Sequence, residues 1–280
     1  MNIESMRAFL EIASTGSFQN AAERLNITQS AVSARIKSLE ERLNRTLFTR
    51  KRSGIEMTDA GFRLMRHAQN CVQSWERAQQ EIALPPGIEN LFSLGLQINL
   101  WDRLALAWCD WMARQAPQVS TRIVCDYSEK LVSLVRDGAL DVALVYSARQ
   151  GGGLVIHDYD EQQLILVSTE PRSLNVNWTP GFIFVDWTDD FSSQYSAAFA
   201  SSPQPRFSVS SSIIALEHIL KHGGSAYLAL DDVGEHLAMG ALHRVDEAPV
   251  FLRKSYLVHL RNSPIGEVID TAISGLRELS

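Results

Sequence analysis

The chain has 280 residues, of which 45% are hydrophobic and 21% are charged, and its net charge is −6. This composition is typical of a globular protein, the length suits two or three domains, and no apolar run approaches the roughly 20 residues that cross a bilayer. The first ten residues carry an acid and an amphipathic pattern and do not resemble the apolar core of a secretory signal, and three distant cysteines argue against a disulfide framework. We therefore expect a cytoplasmic protein with no metal or other cofactor.

Apolar residues at spacings of three and four predict an amphipathic helix over about Ile3–Ala13. A second, short helix over Phe18–Leu25 carries small residues that allow another helix to approach closely. After a tight turn at Asn26-Ile27, Thr28 is a suitable N-cap for a third helix that runs to about Leu43. Two short helices joined by a turn of three to four residues predict a helix-turn-helix.

The third helix has one apolar and one polar face. Its predicted buried stripe consists of Ala31, Val32, Ile36, Leu39 and Leu43. The remaining face carries short or amide side chains near its start and basic ones further along, namely Gln29, Ser30, Ser33, Arg35 and Lys37. This pattern suits a recognition helix that reads bases in the major groove and contacts phosphates. The alternative interpretation is an ordinary solvated helix face.

Residues 47–58 predict a strand, a turn at Ser53-Gly54 and a second strand, with Phe48, Ile55 and Met57 facing the core. Three consecutive bases at positions 50–52 would lie at the tip of this hairpin, as in a wing that contacts phosphates. Residues 1–66 contain 11 Lys and Arg against 7 Asp and Glu, a charge of +4, whereas the remaining 15 against 25 give −10. This asymmetry indicates that nucleic-acid contact is confined to the N-terminal region.

The segments AAERLNITQSAVS, IKSLEERL, LFTR and the closing T-x-A-G resemble, almost position by position, the DNA-binding region of LysR-type transcriptional regulators. The resemblance implies a winged helix-turn-helix over residues 1–60. It implies that five side chains of the third helix face DNA: Gln29, Ser30, Ser33, Arg35 and Lys37. It also implies that Arg50 and Arg52 contact the DNA backbone from the wing. Ala34 departs from the family, since many relatives have arginine there, and this indicates an altered operator preference.

A long helix is predicted from Thr58 to about Ala83, and residues 58–84 are assigned as a linker. The helix ends abruptly at Leu84-Pro85-Pro86-Gly87, and residues 85–87 are assigned as a hinge. One apolar stripe runs along it: Leu64, Ala68, Cys71, Trp75, Ala78 and Ile82. The stripe packs either on its own domain or on the same helix of a partner, as the resembling family dimerises. The second interpretation predicts a near-palindromic DNA operator.

Beyond the hinge, strands and helices alternate, which predicts a parallel α/β arrangement. The segments APQV, DGALDVALV and VSSSIIALEHILKHGGSAYLAL resemble the family's effector domain, which is similar to periplasmic binding proteins with two α/β lobes. The expected fold class is therefore an N-terminal winged helix-turn-helix with a linker helix, followed by a two-lobed effector domain over residues 88–280. Lobe I is expected at about 88–160 and 261–280, and lobe II at about 161–260.

Ligands of open α/β sheets bind beyond the carboxyl ends of strands, where helix N-termini offer free N–H groups. Five residues at such places, supported by the family resemblance, are the candidate effector contacts: Gln97, Asn99, Ser147, Ser210 and Ser211. The alternative for each serine is plain helix capping. Relatives commonly have Ser or Thr where this chain has Gln97 and Asn99, and Trp101 is nearby, which is compatible with a larger or aromatic effector.

The sequence contains no Walker A loop, HExxH, GxSxG or GxGxxG motif, so no enzymatic activity is expected. His218 and His222 have helical spacing for a metal pair but no third ligand, and solvated histidines are the preferred interpretation. We expect a transcriptional regulator that binds double-stranded DNA and a small-molecule effector as a homodimer or homotetramer, with RNA polymerase as a further candidate partner and no membrane partner. The alternative is a DNA-binding protein whose C-terminal domain is an effector-free oligomerisation scaffold.

Overall fold

A computed structural model describes residues 2–51, 54–174, 179–200 and 204–279, with the backbone alone at positions 50, 51, 102 and 103. The chain divides into two compact units. The first unit contains Met1–Pro86 together with Asp137–Ala139, and the second contains Gly87–Arg136 and Leu140–Ser280.

The first unit begins with three helices: α1 (Ile3–Thr15), α2 (Phe18–Arg24) and α3 (Gln29–Leu43). Each begins behind a residue whose side chain accepts a backbone N–H of the first turn, respectively Asn2, Ser17 and Thr28. These bonds satisfy donors that the helices leave free. The helices enclose a core that includes Met6, Phe9, Ile12, Ala21, Ala22, Val32, Ile36 and Leu39. Leu43, predicted to be buried, is 43% exposed as the last residue of α3.

An antiparallel hairpin follows, with β1 (Phe48–Lys51) paired to β2 (Gly54–Met57). The Glu40 carboxylate of α3 accepts the backbone N–H of Leu47 at 2.6 Å, which attaches the hairpin to α3. Phe48, Ile55 and Met57 pack against the core of the unit, as predicted. The predicted turn residue Ser53 lies outside the described residues.

The helix α4 (Asp59–Ile82) begins behind Thr58, whose hydroxyl accepts the N–H of Gly61 at 3.1 Å. A Cβ atom at Gly61 would lie 2.6 Å from the carbonyl oxygen of Leu47, so the T-x-A-G motif requires glycine there for the helix to approach the hairpin. The predicted single apolar stripe divides in two. Ala68 is fully buried against the core, whereas Trp75 is 48% and Ile82 is 87% exposed, because the stripe drifts around a straight helix.

The first half of the second unit contains β3 (Asn90–Gln97), α5 (Trp101–Gln115), β4 (Val119–Asp126), α6 (Ser128–Arg136), β5 (Val142–Val145) and β6 (Leu154–Ser168). The second half contains β7 (Phe182–Val185), α7 (Asp189–Ala198), β8 (Phe207–Val209), α8 (Ser212–His222), β9 (Ser225–Ala229) and α9 (Leu230–Ala238). It ends with β10 (His243–Arg244), β11 (Phe251–Leu260) and α10 (Gly266–Glu278).

The nine strands described in this unit form one sheet in the order β4-β3-β5-β11-β6-β9-β7-β8, with β10 paired to β6. β3 is parallel to β4 and β5, and β7 is parallel to β8 and β9, which confirms the predicted parallel layering. The long strands β6 and β11 pair antiparallel and run from one parallel group to the other. The unit therefore has two lobes, lobe I around β3–β5 and lobe II around β7–β9, with β6 and β11 as their connection.

Each lobe has its own core. In lobe I, α5 packs against α10, and the Trp108 indole N–H donates to the carbonyl oxygen of Ala272 at 3.0 Å. Gly275 allows this close approach, because a Cβ atom there would lie 2.5 Å from Cε3 of Trp111. Lobe II is centred on the buried aromatic residues Phe191, Tyr195 and Tyr227. Burial in this core raises the pKa of the Tyr195 phenol to about 12.

Candidate DNA-binding surface and effector cleft

The helix α3 turns a polar face to solvent because Val32, Ile36 and Leu39 hold its opposite face in the core. Gln29 and Ser30 lie exposed at its N-terminus, where the Ser30 hydroxyl is 2.9 Å from that of Thr28. Lys37 is 79% exposed, and its amino group lies 3.9 Å from the Glu41 carboxylate. Such an array of hydrogen-bonding side chains and a solvated cation matches the chemistry of a DNA groove.

Arg35 differs from the other predicted DNA contacts. Its guanidinium Nη1 donates to the Glu4 carboxylate of α1 at 3.2 Å, and its side chain is 27% exposed. Glu4 also accepts from Arg7 at 3.1 Å. Arg35 therefore lies on the flank of α3 that faces α1, and Ser33 is likewise partly buried.

The wing residues are only partly described. The backbone of Arg50 pairs with that of Ile55 within the hairpin, and its side chain is not described. Arg52 lies outside the described residues. The proposed wing contacts of both arginines remain predictions.

In the second unit, the carboxyl ends of β3, β4 and β5 bring a set of polar groups together in lobe I. The Ser128 hydroxyl is the centre of this polar set. It donates to Oε1 of Gln97 at 2.7 Å. The same hydroxyl oxygen accepts the backbone N–H groups of Tyr146 at 3.1 Å and of Ser147 at 3.3 Å. Gln97 is buried by these contacts, whereas Ser147 is exposed.

Asn99 extends this polar set to lobe II. Its side-chain nitrogen donates to the carbonyl oxygen of Ser210 at 3.1 Å, and its side-chain oxygen accepts the backbone N–H of Ser212 at 3.1 Å. Its own backbone carbonyl accepts the Tyr146 hydroxyl at 3.2 Å. The structure thus brings Gln97, Asn99, Ser147 and Ser210 to one edge of the sheet, where the lobes meet.

Ser211 occupies the N-cap position of α8, but its side chain makes no capping hydrogen bond within the described residues. The Asn99 amide performs that role from the other lobe, since it accepts the N–H of the first residue of α8. The local capping that was the alternative interpretation of Ser211 is therefore not what its side chain does.

Arg253 of β11 is 3% exposed and contacts Tyr146, the residue whose hydroxyl bonds to Asn99. Its guanidinium lies between two aromatic rings, 4.0 Å from the ring centroid of Tyr146 in lobe I and 3.9 Å from that of Trp187 in lobe II. Its Nη2 donates to Oε1 of Gln162 on β6, whose Nε2 in turn lies 3.4 Å from the Asp231 carboxylate. A buried cation thus joins both lobes to the strands that connect them.

The sequence analysis did not identify Ser128, Ser212 or Arg253. Ser128 follows β4, so the same strand-end rule that identified Gln97 would have found it. Ser212 contributes a backbone N–H at the start of α8, where the strand-end rule expects free N–H groups, although its side chain was not among the candidates. Arg253 lies within an alternating strand pattern, and its aromatic neighbours are 66 and 107 positions away in the chain, so no local signal indicates its role.

The parts of the chain that the structure describes contain no group of three or more His, Cys, Asp and Glu side chains placed to hold a metal ion. His218 and His222 of α8 pack ring against ring, with centroids 4.7 Å apart. No described helix combines the length and the apolar character that a membrane span requires.

Two family descriptions match the chain. "Bacterial regulatory helix-turn-helix protein, lysR family" matches residues 3–62, and "LysR substrate binding domain" matches residues 89–279. Among curated proteins, the HTH-type transcriptional regulator HdfR of Salmonella schwarzengrund is 29% identical over 266 residues, which cover 94% of each chain.

Solved structures share the fold. Full-length CbnR in complex with its target DNA has a TM-score of 0.69 at 15% identity, with all of both chains covered. Full-length LysG of Corynebacterium glutamicum with bound effector Arg has a TM-score of 0.54 at 17% identity, covering 100% of this chain and 98% of that one. The matched domains together span most of the sequence. The chain belongs to the lysR family of bacterial regulatory helix-turn-helix proteins, and it is a DNA-binding transcriptional regulator with an effector-binding domain.

Proposed function

We propose that the chain binds a near-palindromic DNA operator through α3 and the wing, and that a small molecule bound between the lobes changes this binding or the bend of the promoter. The exposed polar face of α3, with Gln29, Ser30 and Lys37, is the observation that carries the proposal. Ser33, Arg35, Arg50 and Arg52 complete the proposed DNA contacts. For Arg35, this requires the guanidinium to exchange Glu4 for a phosphate on binding.

The proposed domains are the winged helix-turn-helix at residues 1–60, the linker helix at 58–84, the hinge at 85–87 and the effector domain at 88–280. Within the last, lobe I is proposed at about 88–160 and 261–280, and lobe II at about 161–260. The packing of α10 on α5 supports the assignment of the C-terminal helix to lobe I.

We propose that the protein is a homodimer or homotetramer in which α4 contacts its counterpart. The support is a groove of about 770 Å³ between α1 and α4, lined on the α4 side by Asn70, Cys71, Ser74, Trp75 and Ala78. An exposed indole in an apolar groove favours burial against a partner. Two recognition helices held this way would meet successive major grooves, which is the reason to expect a near-palindromic operator.

The proposed effector contacts are Gln97, Asn99, Ser147, Ser210 and Ser211, which lie where ligands of α/β sheets bind. LysG, whose fold is similar, has been solved with arginine as its bound effector. For this chain we propose a regulatory and not an enzymatic role, a cytoplasmic location and RNA polymerase as a further candidate partner. The second candidate is an effector-free oligomerisation scaffold. It is favoured by the hydrogen bonds that both side-chain groups of Asn99 make within the chain across the cleft.

Selection of genomic DNA fragments with the purified protein, followed by footprinting of the best site, tests the proposed function. We expect a protected near-palindrome whose half-sites lie about one helical turn, roughly 34 Å, apart. Recovery of no fragment above nonspecific binding at low salt would contradict it. A thermal-shift screen separates the two candidates, because an effector bound to the folded state raises the melting temperature whereas a scaffold shows no such ligand.

A further inference from the structure

Asn99 makes both of its side-chain hydrogen bonds to the opposite lobe. The amide nitrogen donates to the carbonyl oxygen of Ser210, and the amide oxygen accepts the N–H of Ser212, each at 3.1 Å. From this pair we infer that Asn99 is a latch that holds the two lobes closed without effector, and that the effector group which replaces it is a carboxamide or a similar planar group with an acceptor beside a donor. The inference rests on the proposed effector function and deepens it.

The chemistry of the two partners determines which group fits. Ser212 offers an N–H donor and Ser210 offers a carbonyl acceptor, so the occupant must accept one bond and donate the other. A neutral carboxamide does both, whereas an ionised carboxylate only accepts and an ammonium only donates. A carboxylate placed here would direct a second oxygen at the Ser210 carbonyl, where two acceptors repel each other.

The position of Asn99 is fixed on its own side of the cleft. Its backbone carbonyl accepts the Tyr146 hydroxyl at 3.2 Å. Asn99 also lies within a tight turn, in which the Leu100 N–H donates to the carbonyl oxygen of Gln97 at 2.8 Å. Asn99 is 6% exposed; its bond to Ser212 is buried and its bond to Ser210 is partly buried. A rigid, buried amide of this kind holds the lobes at one separation.

The latch also couples lobe closure to the start of α8. Because the Ser211 side chain makes no capping bond in the described part of the chain, the Asn99 amide supplies the side-chain cap for the first residue of this helix. When the lobes open, α8 loses this cap. A ligand with the same donor and acceptor can then cap α8 in place of Asn99, with the lobes at a different separation. The ligand thereby has different contacts in the two states, which is the condition for shifting their populations.

Chemical rescue of Asn99→Gly tests the latch. Glycine removes the amide and leaves a space of its size, so we expect the full-length variant to melt roughly 2–4 °C below wild type. Acetamide should raise the melting temperature of this variant relative to wild type under the same conditions, whereas acetate at the same concentration should not. The matched control is Asn262→Gly at an exposed bend, which should show no selective response to acetamide.

Asn99→Asp is the second variant and keeps the size of the side chain. It should also melt below wild type, because the carboxylate cannot donate to Ser210, and acetamide should not rescue it, because the space is filled. Equal rescue of Asn99→Gly by acetate and acetamide, or wild-type melting of Asn99→Asp, would overturn the inference. Selection of genomic DNA fragments with the wild-type protein tests the proposed function independently. A failure of the latch is therefore distinguishable from a failure of the proposed function.

Discussion

The guanidinium of Arg253 stacks on the indole of Trp187, with 3.9 Å between its Cζ atom and the ring centroid. Tyr146 covers the opposite face at 4.0 Å. Since Tyr146 belongs to lobe I and Trp187 to lobe II, one side chain of the connecting strand β11 contacts both lobes. Tyr146 also bonds to Asn99, so this cation and the proposed latch belong to one continuous set of contacts.

Replacement of Arg253 should destabilise the second unit. Arg253→Ala removes two water-shielded cation–π contacts, and we expect a loss of about 2 kcal/mol or more in the free energy of unfolding. Urea denaturation measures it. The matched control is Arg206→Ala, which removes an exposed arginine 5.4 Å from the Phe207 ring and should cost at most about 1 kcal/mol. Equal losses in the two variants would contradict the assigned role of Arg253.

Two glycines in helices should respond oppositely to alanine. Gly275→Ala places a methyl group against the Trp111 ring, and we expect it to reduce the free energy of unfolding by about 1–3 kcal/mol. A Cβ atom at Gly234 in α9 meets no atom within 4 Å, so Gly234→Ala should stabilise by up to about 1 kcal/mol. Thermal unfolding of both variants checks the pair. A stable Gly275→Ala variant would show that α10 does not need this close approach to α5.

Lys37 should contribute to DNA affinity through a phosphate. We expect Lys37→Ala to weaken operator binding and to reduce the slope of log affinity against log salt by about 1. Titration of labelled operator at several salt concentrations measures both. Lys254→Ala, which removes a 61% exposed lysine of β11, is the control of equal charge and should leave the slope unchanged. The same slope change in both variants would indicate a nonspecific effect of net charge.

Trp75 should be required for self-association. Trp75→Glu places a charge in the groove between α1 and α4, and we expect a shift towards monomer in sedimentation velocity. Gln80→Glu adds the same charge at an exposed position on the opposite side of α4 and should leave the assembly unchanged. An unaltered sedimentation coefficient for Trp75→Glu would show that the groove is not the contact.

Acid should destabilise the second unit through His157. Partial desolvation lowers the pKa of the largely exposed His157 below its ordinary value of 6.5, and the neighbouring His259 and Arg277 act in the same direction. The imidazole nitrogens Nε2 of His157 and His259 are 3.2 Å apart. Because the unfolded chain binds a proton at a higher pH than the folded chain, the free energy of unfolding should fall as the pH falls through about 6.5.

Urea midpoints between about pH 7.5 and 5.5 measure this dependence. His157→Gln should give a flatter profile than wild type, whereas His236→Gln removes a histidine of α9 away from the pair and serves as the control. Parallel profiles for wild type and His157→Gln would exclude His157 as the source.

Local sequence signals predicted much of the first unit. Thr28 caps α3 and Leu43 ends it, as expected from residue type alone, because a cap and its helix lie within a few residues of each other. The strand-end rule likewise predicted that Gln97 and Asn99 lie at one edge of the sheet. The exposure of Leu43 and the divided stripe of α4 were not predicted, because burial depends on which helix surface reaches a neighbour.

The sequence by itself determined the family, the order of the elements and the residue types available at the strand ends, since these follow from short-range patterns. Only the tertiary structure decided what those residues contact. The Asn99 amide bonds to Ser210 and Ser212, more than 100 positions away, and Arg253 inserts between Tyr146 and Trp187. Such contacts form when β6 and β11 bring distant segments together, and hydrogen bonds and ring contacts depend on that final geometry and not on local sequence.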